Sequence, residues 1–242
     1  MHSAITVSLV EEARQGPFVY HAGLEDALER AAQLGFDAIE IFPPNAAAID
    51  PANVAKLLGK YGLKLAAVGT GAGWLRQQLT LVANESGPRQ QAIEFVRGII
   101  DAAGCLGAPA IVGSMQGRAA TSHDRATMLE RLGSAISELA DYAGQRYGVP
   151  LLIEPLNRYE TNLLNEVGET AAWIKTLPTK NLRILADLFH MNIEEADMAA
   201  ALRAAGALVG HVHFADSNRR AVGMGHAPVA EAVAALKSMR YQ

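Results

Sequence analysis

Along the chain, short apolar runs rich in Val, Ile and Leu alternate with longer stretches whose apolar residues recur every three or four positions. The first pattern suits a buried strand and the second suits one face of a helix. Strands are predicted at 5–10, 38–42, 63–68, 109–113, 151–154, 182–187 and 208–214, and helices at 24–34, from Pro51 onward, and at 88–106, 122–147, 166–176, 193–205 and 227–239. Pro51 stands where a helix has no use for its own N–H. Gly35 closes the first helix, Thr121 or Ser122 caps the long one, and the GTGAG turn leads into a loop carrying Trp74. Strand and helix alternate in seven units without linkers, low-complexity segments or strong repeats, so residues 1–242 are expected to form one domain. The fold class is α/β, and the order fits a (β/α)8 TIM barrel without its last strand and helix. A doubly wound open sheet is the alternative, but no G-x-G-x-x-G follows the first strand, and polar residues collect at the C-terminal ends of several strands, where barrels build their sites.

With 242 residues, half of them hydrophobic, the chain can bury a large core. Its net charge of -4 gives no basic face for nucleic acid. No apolar run approaches the ~20 residues needed to cross a bilayer, so no membrane partner is expected. The start, MHSAITVSLVEE, lacks a charged leader region, which makes a cytoplasmic location the default expectation. The single cysteine, Cys105, has no intrachain partner and suits a reducing compartment; its helical setting reads as a small buried hydrophobe. A small-molecule partner is expected, and a homo-oligomer is left open.

Three consecutive strands end in groups that a packed core does not need: Glu154, Asp187 and His213. Side chains alternate along a strand, so Leu152 shares a face with Glu154, Leu185 with Asp187, and His211 with His213. Turned inward, two carboxylates and an imidazole form a divalent-metal set that favours Mn²⁺, Mg²⁺ or Co²⁺, with Zn²⁺ also admissible. Taken singly, each has a plainer reading, as a helix cap or a satisfied core histidine. Three strand ends in succession favour the metal. Glu40, on the face of Ala38 and Phe42, is a candidate acceptor behind the ligands, and so is His211, one layer below His213. Trp74 and the segment 114–118 fall on active-face loops. No glycine-rich loop opening a helix offers a phosphate cradle, which points to an unphosphorylated substrate.

The segments EPLNRYETNLLN, ADLFHMNIEE and GHVHFADSNRRAVGMGH resemble the metal-dependent ketose 3-epimerases of the D-tagatose/D-psicose (allulose) 3-epimerase group, within the xylose isomerase-like superfamily of sugar phosphate isomerases and epimerases. The likeness is specific over 150–226. It implies metal ligation by Glu154, Asp187 and His213, with Glu154 also the catalytic base, and substrate contacts from Glu160, His190 and Arg219. The implied reaction moves the proton at C3 of a free ketose through an enediolate. In that family a further glutamate, both fourth ligand and second proton-transfer group, ends an eighth strand and would fall beyond Gln242; the expectation is a sequence shortened before it. Hydroxypyruvate isomerisation and inosose dehydration use similar chemistry and stand as alternatives. An endonuclease IV-like repair enzyme would need more strand-end histidines and a basic face. A non-catalytic sugar- or metal-binding protein is the remaining reading.

Overall fold

In a computed structural model, residues 1–241 are described. The apolar runs form seven strands: β1 (Ala4–Ser8), β2 (Ala38–Phe42), β3 (Lys64–Gly69), β4 (Ala110–Val112), β5 (Leu151–Ile153), β6 (Leu182–Asp187) and β7 (Val209–His213). All pair in parallel with their sequence neighbours, in the order β1 to β7. Parallel neighbours cannot be joined by a tight turn, so each connection crosses the outer face of the sheet, mostly as helix. The helices are α1 (Leu24–Gln33), α2 (Pro51–Tyr61), α3 (Ala72–Gln77), α4 (Ser86–Gly104), α5 (Arg125–Tyr147), α6 (Val167–Thr176), α7 (Leu188–Glu194), α8 (Met198–Ala205) and α9 (Val229–Ser238).

The sheet curls into a barrel with one gap. Glu40 on β2 lies 3.0 Å from both His211 and His213 on β7, a contact that a flat seven-stranded sheet could not make. Among the described residues, β1 and β7 are the two edges and do not pair with each other.

Alternation along the strands gives two apolar layers. Outward-facing Ile39, Ile41, Ile153 and Ile184 belong to the large core shared with Leu28, Ile99, Leu132, Ile136 and Leu202 of the helices. Inward-facing Ala67, Ile111, Leu152 and Leu185 form a separate cluster inside the barrel. Two residues further along, the same four strand faces carry Gly69, Gly113, Glu154 and Asp187. The barrel interior therefore changes within one layer from packed hydrocarbon to two glycines and two carboxylates.

Local signals fix the helix ends. Asp50 accepts N–H bonds from Ala52 and Asn53 ahead of Pro51, and Gly62 closes α2 at φ +67°. Thr121 and Asp124 form a capping box one short turn before α5.

Three expectations are corrected. Trp74 lies in α3, because the turn at Gly71 starts a helix at once. The helix expected over 193–205 begins later, at Met198, where Asp197 caps α8, and a separate helix absent from the expectation, α7, starts directly after β6 with Asp187 as its cap. Cys105 is exposed, since it falls at the C-terminal cap of α4 and outside its buried stripe.

Candidate metal centre

The parallel register sets the site. In the β6–β7 ladder Asp187 pairs with His213 and Leu185 with His211, so the carboxylate and the imidazole share a level at the barrel mouth. Glu154 follows β5 and continues its ladder, its N–H donating to the Val112 carbonyl at 2.9 Å. His213 Nδ1 then lies 3.5 Å from Asp187 Oδ2 and 3.8 Å from Glu154 Oε1. Donors bound to one ion at ~2.0–2.3 Å stand ~3–4 Å from one another, so these atoms are spaced for a shared cation.

The other imidazole nitrogen looks away. His213 Nε2 is 3.0 Å from Glu40 Oε2, the oxygen that His211 Nε2 also meets at 3.0 Å, while Thr6 Oγ1 donates to Glu40 Oε1 at 3.1 Å. Burial opposes ionisation of Glu40, but His213 and His211 outweigh it and hold the carboxyl below its usual range. An ionised Glu40 holds the Nε2 proton of His213, so a cation that displaces the second ring proton would meet the Nδ1 lone pair on the side of Asp187 and Glu154.

Two sets of three residues each bring their donor atoms within 4.8 Å inside the set: Glu154, Asp187 and His190 in one, Glu40, His211 and His213 in the other. Hydrogen bonding distinguishes the histidines. His190 Nδ1 accepts the backbone N–H of Asn157 at 3.1 Å and lies 2.8 Å from its side-chain Nδ2, which puts the ring proton on Nε2. That Nε2–H points toward Glu154 Oε1, 3.9 Å away, with a proton to donate and no free lone pair. Burial lowers the His190 pKa and favours the neutral ring.

Electrostatics separate the two carboxylates. Burial pushes Glu154 up to about 8, against the pull of His213, with Asp187, Glu40 and Glu160 adding to the rise. Asp187 is held low because His213 and the Phe189 N–H outweigh the cost of burial. Its two oxygens divide the work: Oδ1 caps α7 by accepting from Phe189 N at 2.7 Å, and Oδ2 faces His213. Burial opposes protonation of His213, yet the carboxylates of Glu40, Asp187 and Glu154 raise its pKa well above the ordinary value.

Above this cluster, Glu160 Oε1 takes hydrogen bonds from Arg219 Nη1 at 3.1 Å and Asn157 Nδ2 at 3.3 Å. The Arg219 guanidinium lies 4.7 Å over the Phe189 ring. All eight residues singled out in the sequence thus form one contiguous region. Nothing in the pattern pointed to Gly113, and neither Gln116, within the active-face segment 114–118, nor Asn157 was given a role. Asn157 fixes the His190 tautomer, Gln116 Nε2 holds the Glu154 carbonyl at 3.0 Å, and a Cβ on Gly113 would stand 2.5 Å from Glu154 Oε2. The position of Asn157 inside EPLN was the one available signal. Trp74 is 39% exposed, and Arg118 donates to the Tyr159 carbonyl at 3.2 Å.

A curled parallel barrel with carboxylates and imidazoles at the C-terminal mouth defines a class, and the chain belongs to the xylose isomerase-like TIM barrel family, whose model matches residues 28–242. Within it, the chain is 32% identical over 224 residues to an L-ribulose 3-epimerase of Methylomonas sp., covering 91% of this chain and 76% of that protein. It is 41% identical over 118 residues to a D-psicose 3-epimerase of Agrobacterium fabrum, a stretch spanning 49% of this chain and 40% of that one. The crystal structure of a D-allulose 3-epimerase from Methylomonas sp. in complex with D-allulose superposes with a TM-score of 0.83 at 30% identity, covering 100% of this chain and 81% of that one. An AP endonuclease of family 2 from Brucella melitensis, at 20% identity and a TM-score of 0.78, shares the fold.

Proposed function

We propose that this protein is a metal-dependent ketose 3-epimerase, with Glu154, Asp187 and His213 holding one divalent cation and Glu154 moving the C3 proton. The observation that carries the reading is the spacing of His213 Nδ1 from the two carboxylates, together with relatives that are ketose 3-epimerases. The donor set, two carboxylate oxygens and one imidazole, favours Mn²⁺, with Mg²⁺, Co²⁺ and Zn²⁺ as the other candidates. When bound, the cation supplies positive charge to the C2 and C3 oxygens of the substrate, where an enediolate accumulates negative charge.

The chain's own groups supply the rest. Glu154 is a buried carboxylate whose protonated form burial favours and which, beside a bound cation, would return to the ionised form that can take a proton from carbon. His190, neutral with its proton on Nε2, donates to a substrate oxygen beside Glu154. Glu160 and Arg219, already paired across the mouth, orient the neighbouring hydroxyls. Glu40 receives the outward N–H of His213 and fixes which nitrogen faces inward.

We take 1–242 as one domain and place it in the cytoplasm, where an exposed free thiol such as Cys105 stays reduced. No helix among the described residues is long and apolar enough to cross a membrane. Hydroxypyruvate isomerisation and inosose dehydration have no comparable support among the relatives named.

The test is turnover of free ketoses by the Mn²⁺-loaded protein in deuterated water. Deuterium is expected at C3 of the product, and Glu154→Gln is expected to abolish turnover while Mn²⁺ still binds more weakly. Epimerisation without exchange at C3 would replace proton transfer with hydride or retro-aldol chemistry.

A further inference from the structure

The segment from Phe214 to Ala227 carries Arg219 across the barrel mouth without a strand or helix to support it. Arg219 has φ +62°, a left-handed conformation that a non-glycine residue adopts only when its surroundings impose it. One carboxylate gathers the backbone on both sides of it. Asp216 is 2% exposed and its side chain meets only backbone donors: Oδ1 accepts from Ser217 N at 2.7 Å and Ala227 N at 3.0 Å, and Oδ2 from Gly223 N at 2.8 Å. Its own backbone closes the turn, since Asp216 N donates to the Arg220 carbonyl at 2.9 Å and Arg219 N to the Asp216 carbonyl at 2.8 Å. A Cβ on Gly225 would run into the Asp216 carboxylate. The N–H groups of Ala227, then Ser217, Gly223 and Gly225, hold this carboxyl far below the usual range. Ser217 and Asn218 add lesser ties: Ser217 Oγ accepts from His226 N at 2.9 Å, and Asn218 Nδ2 donates to the Met224 carbonyl at 2.6 Å.

We propose that Asp216 is a positioning residue: its carboxylate joins the two ends of the loop and sets Arg219 where it meets Glu160 and, on the functional reading above, the substrate. An amide cannot replace it, because one of the two side-chain atoms would turn N–H groups toward a backbone N–H. A glutamate keeps both acceptors and the charge on a longer stem.

The experiment compares wild type, Asp216→Asn, Asp216→Glu, Arg219→Ala and the Asp216→Asn/Arg219→Ala double variant, all loaded with Mn²⁺. Asp216→Asn is expected to raise the ketose KM about tenfold with a smaller change in kcat, and Asp216→Glu to recover part of the loss. In the Arg219→Ala background the same substitution is expected to add less than about twofold, because the two residues act as a unit. A full, additive loss in that background overturns the proposal. Trypsin cleavage after Arg219 and Arg220 gives a readout independent of activity. It should accelerate in Asp216→Asn, and unchanged cleavage overturns the proposal even if wild type turns over no ketose and the functional reading itself has failed. Should Asp216→Asn not fold, Gly225→Ala presses a methyl group into the same carboxylate and makes the same comparison.

Discussion

His213 uses both ring nitrogens, one toward Asp187 and Glu154 and one toward Glu40, so the outer bond controls the inner one. Glu40→Gln leaves an amide that accepts more weakly and adds an N–H where both histidines already donate. Mn²⁺ affinity is expected to fall about 10- to 100-fold, as for other partners of metal-bound histidines, with the fold retained. Titration calorimetry reads this directly, and unchanged affinity would mean that Glu40 only braces the barrel. Gly113 makes a second case. Its Cβ would stand 2.5 Å from Glu154 Oε2, so Gly113→Ala is expected to displace that carboxylate and cut turnover by about 10²-fold while barely changing the unfolding temperature. Activity near the wild-type level would show that Glu154 has room to move. At this scale the strand-end residues were legible, because alternation and a polar group after an apolar run are properties of the sequence itself. Gly113 and Asn157 were not. What a glycine leaves empty, or which ring nitrogen an amide meets, depends on neighbours 41 and 33 positions away.

Elements were read best where local chemistry punctuates them. Pro51 marked the start of α2 and β2 was placed to the residue, whereas the Asp50 cap and the close at Gly62 came only from the structure. The start of α7 was missed because its cap, Asp187, is a strand-end carboxylate that was read only as a metal ligand, while its other oxygen faces His213. The loop from Phe214 to Ala227 lacks any periodic signal, and its order comes from Asp216. Because the folded carboxyl titrates below its unfolded value of ~3.9, its contribution is fully present above about pH 4 and declines as pH falls toward the folded value. The difference in melting temperature between wild type and Asp216→Ala is therefore expected to be constant from pH 5 to 7, on the order of a few degrees, and to shrink between about pH 4 and 2. A difference that grows on acidification would contradict the assigned direction.

At the scale of the whole molecule, a cation held by Glu154, Asp187 and His213 would bind only the folded arrangement and so would stabilise it by mass action. At a free concentration about 100 times Kd the gain is ~2.7 kcal/mol, which for a chain of this size corresponds to roughly 5–10 °C. Thermal unfolding with Mn²⁺ and then with excess chelator is expected to show that rise and its reversal. No rise at saturating Mn²⁺ would remove the metal from the functional reading.

Among the described residues, Glu40 ties β2 to the two histidines of β7 across the barrel interior. Mechanically this is a tie rod that couples the β1–β2 margin to β7, and one end of it is His213. A cation that fixes His213 from the β5–β6 side therefore stiffens the far margin as well, without touching it. Amide hydrogen exchange along β1 and β2 should slow when the site is loaded, and cutting the rod with Glu40→Gln should uncouple that margin from the metal.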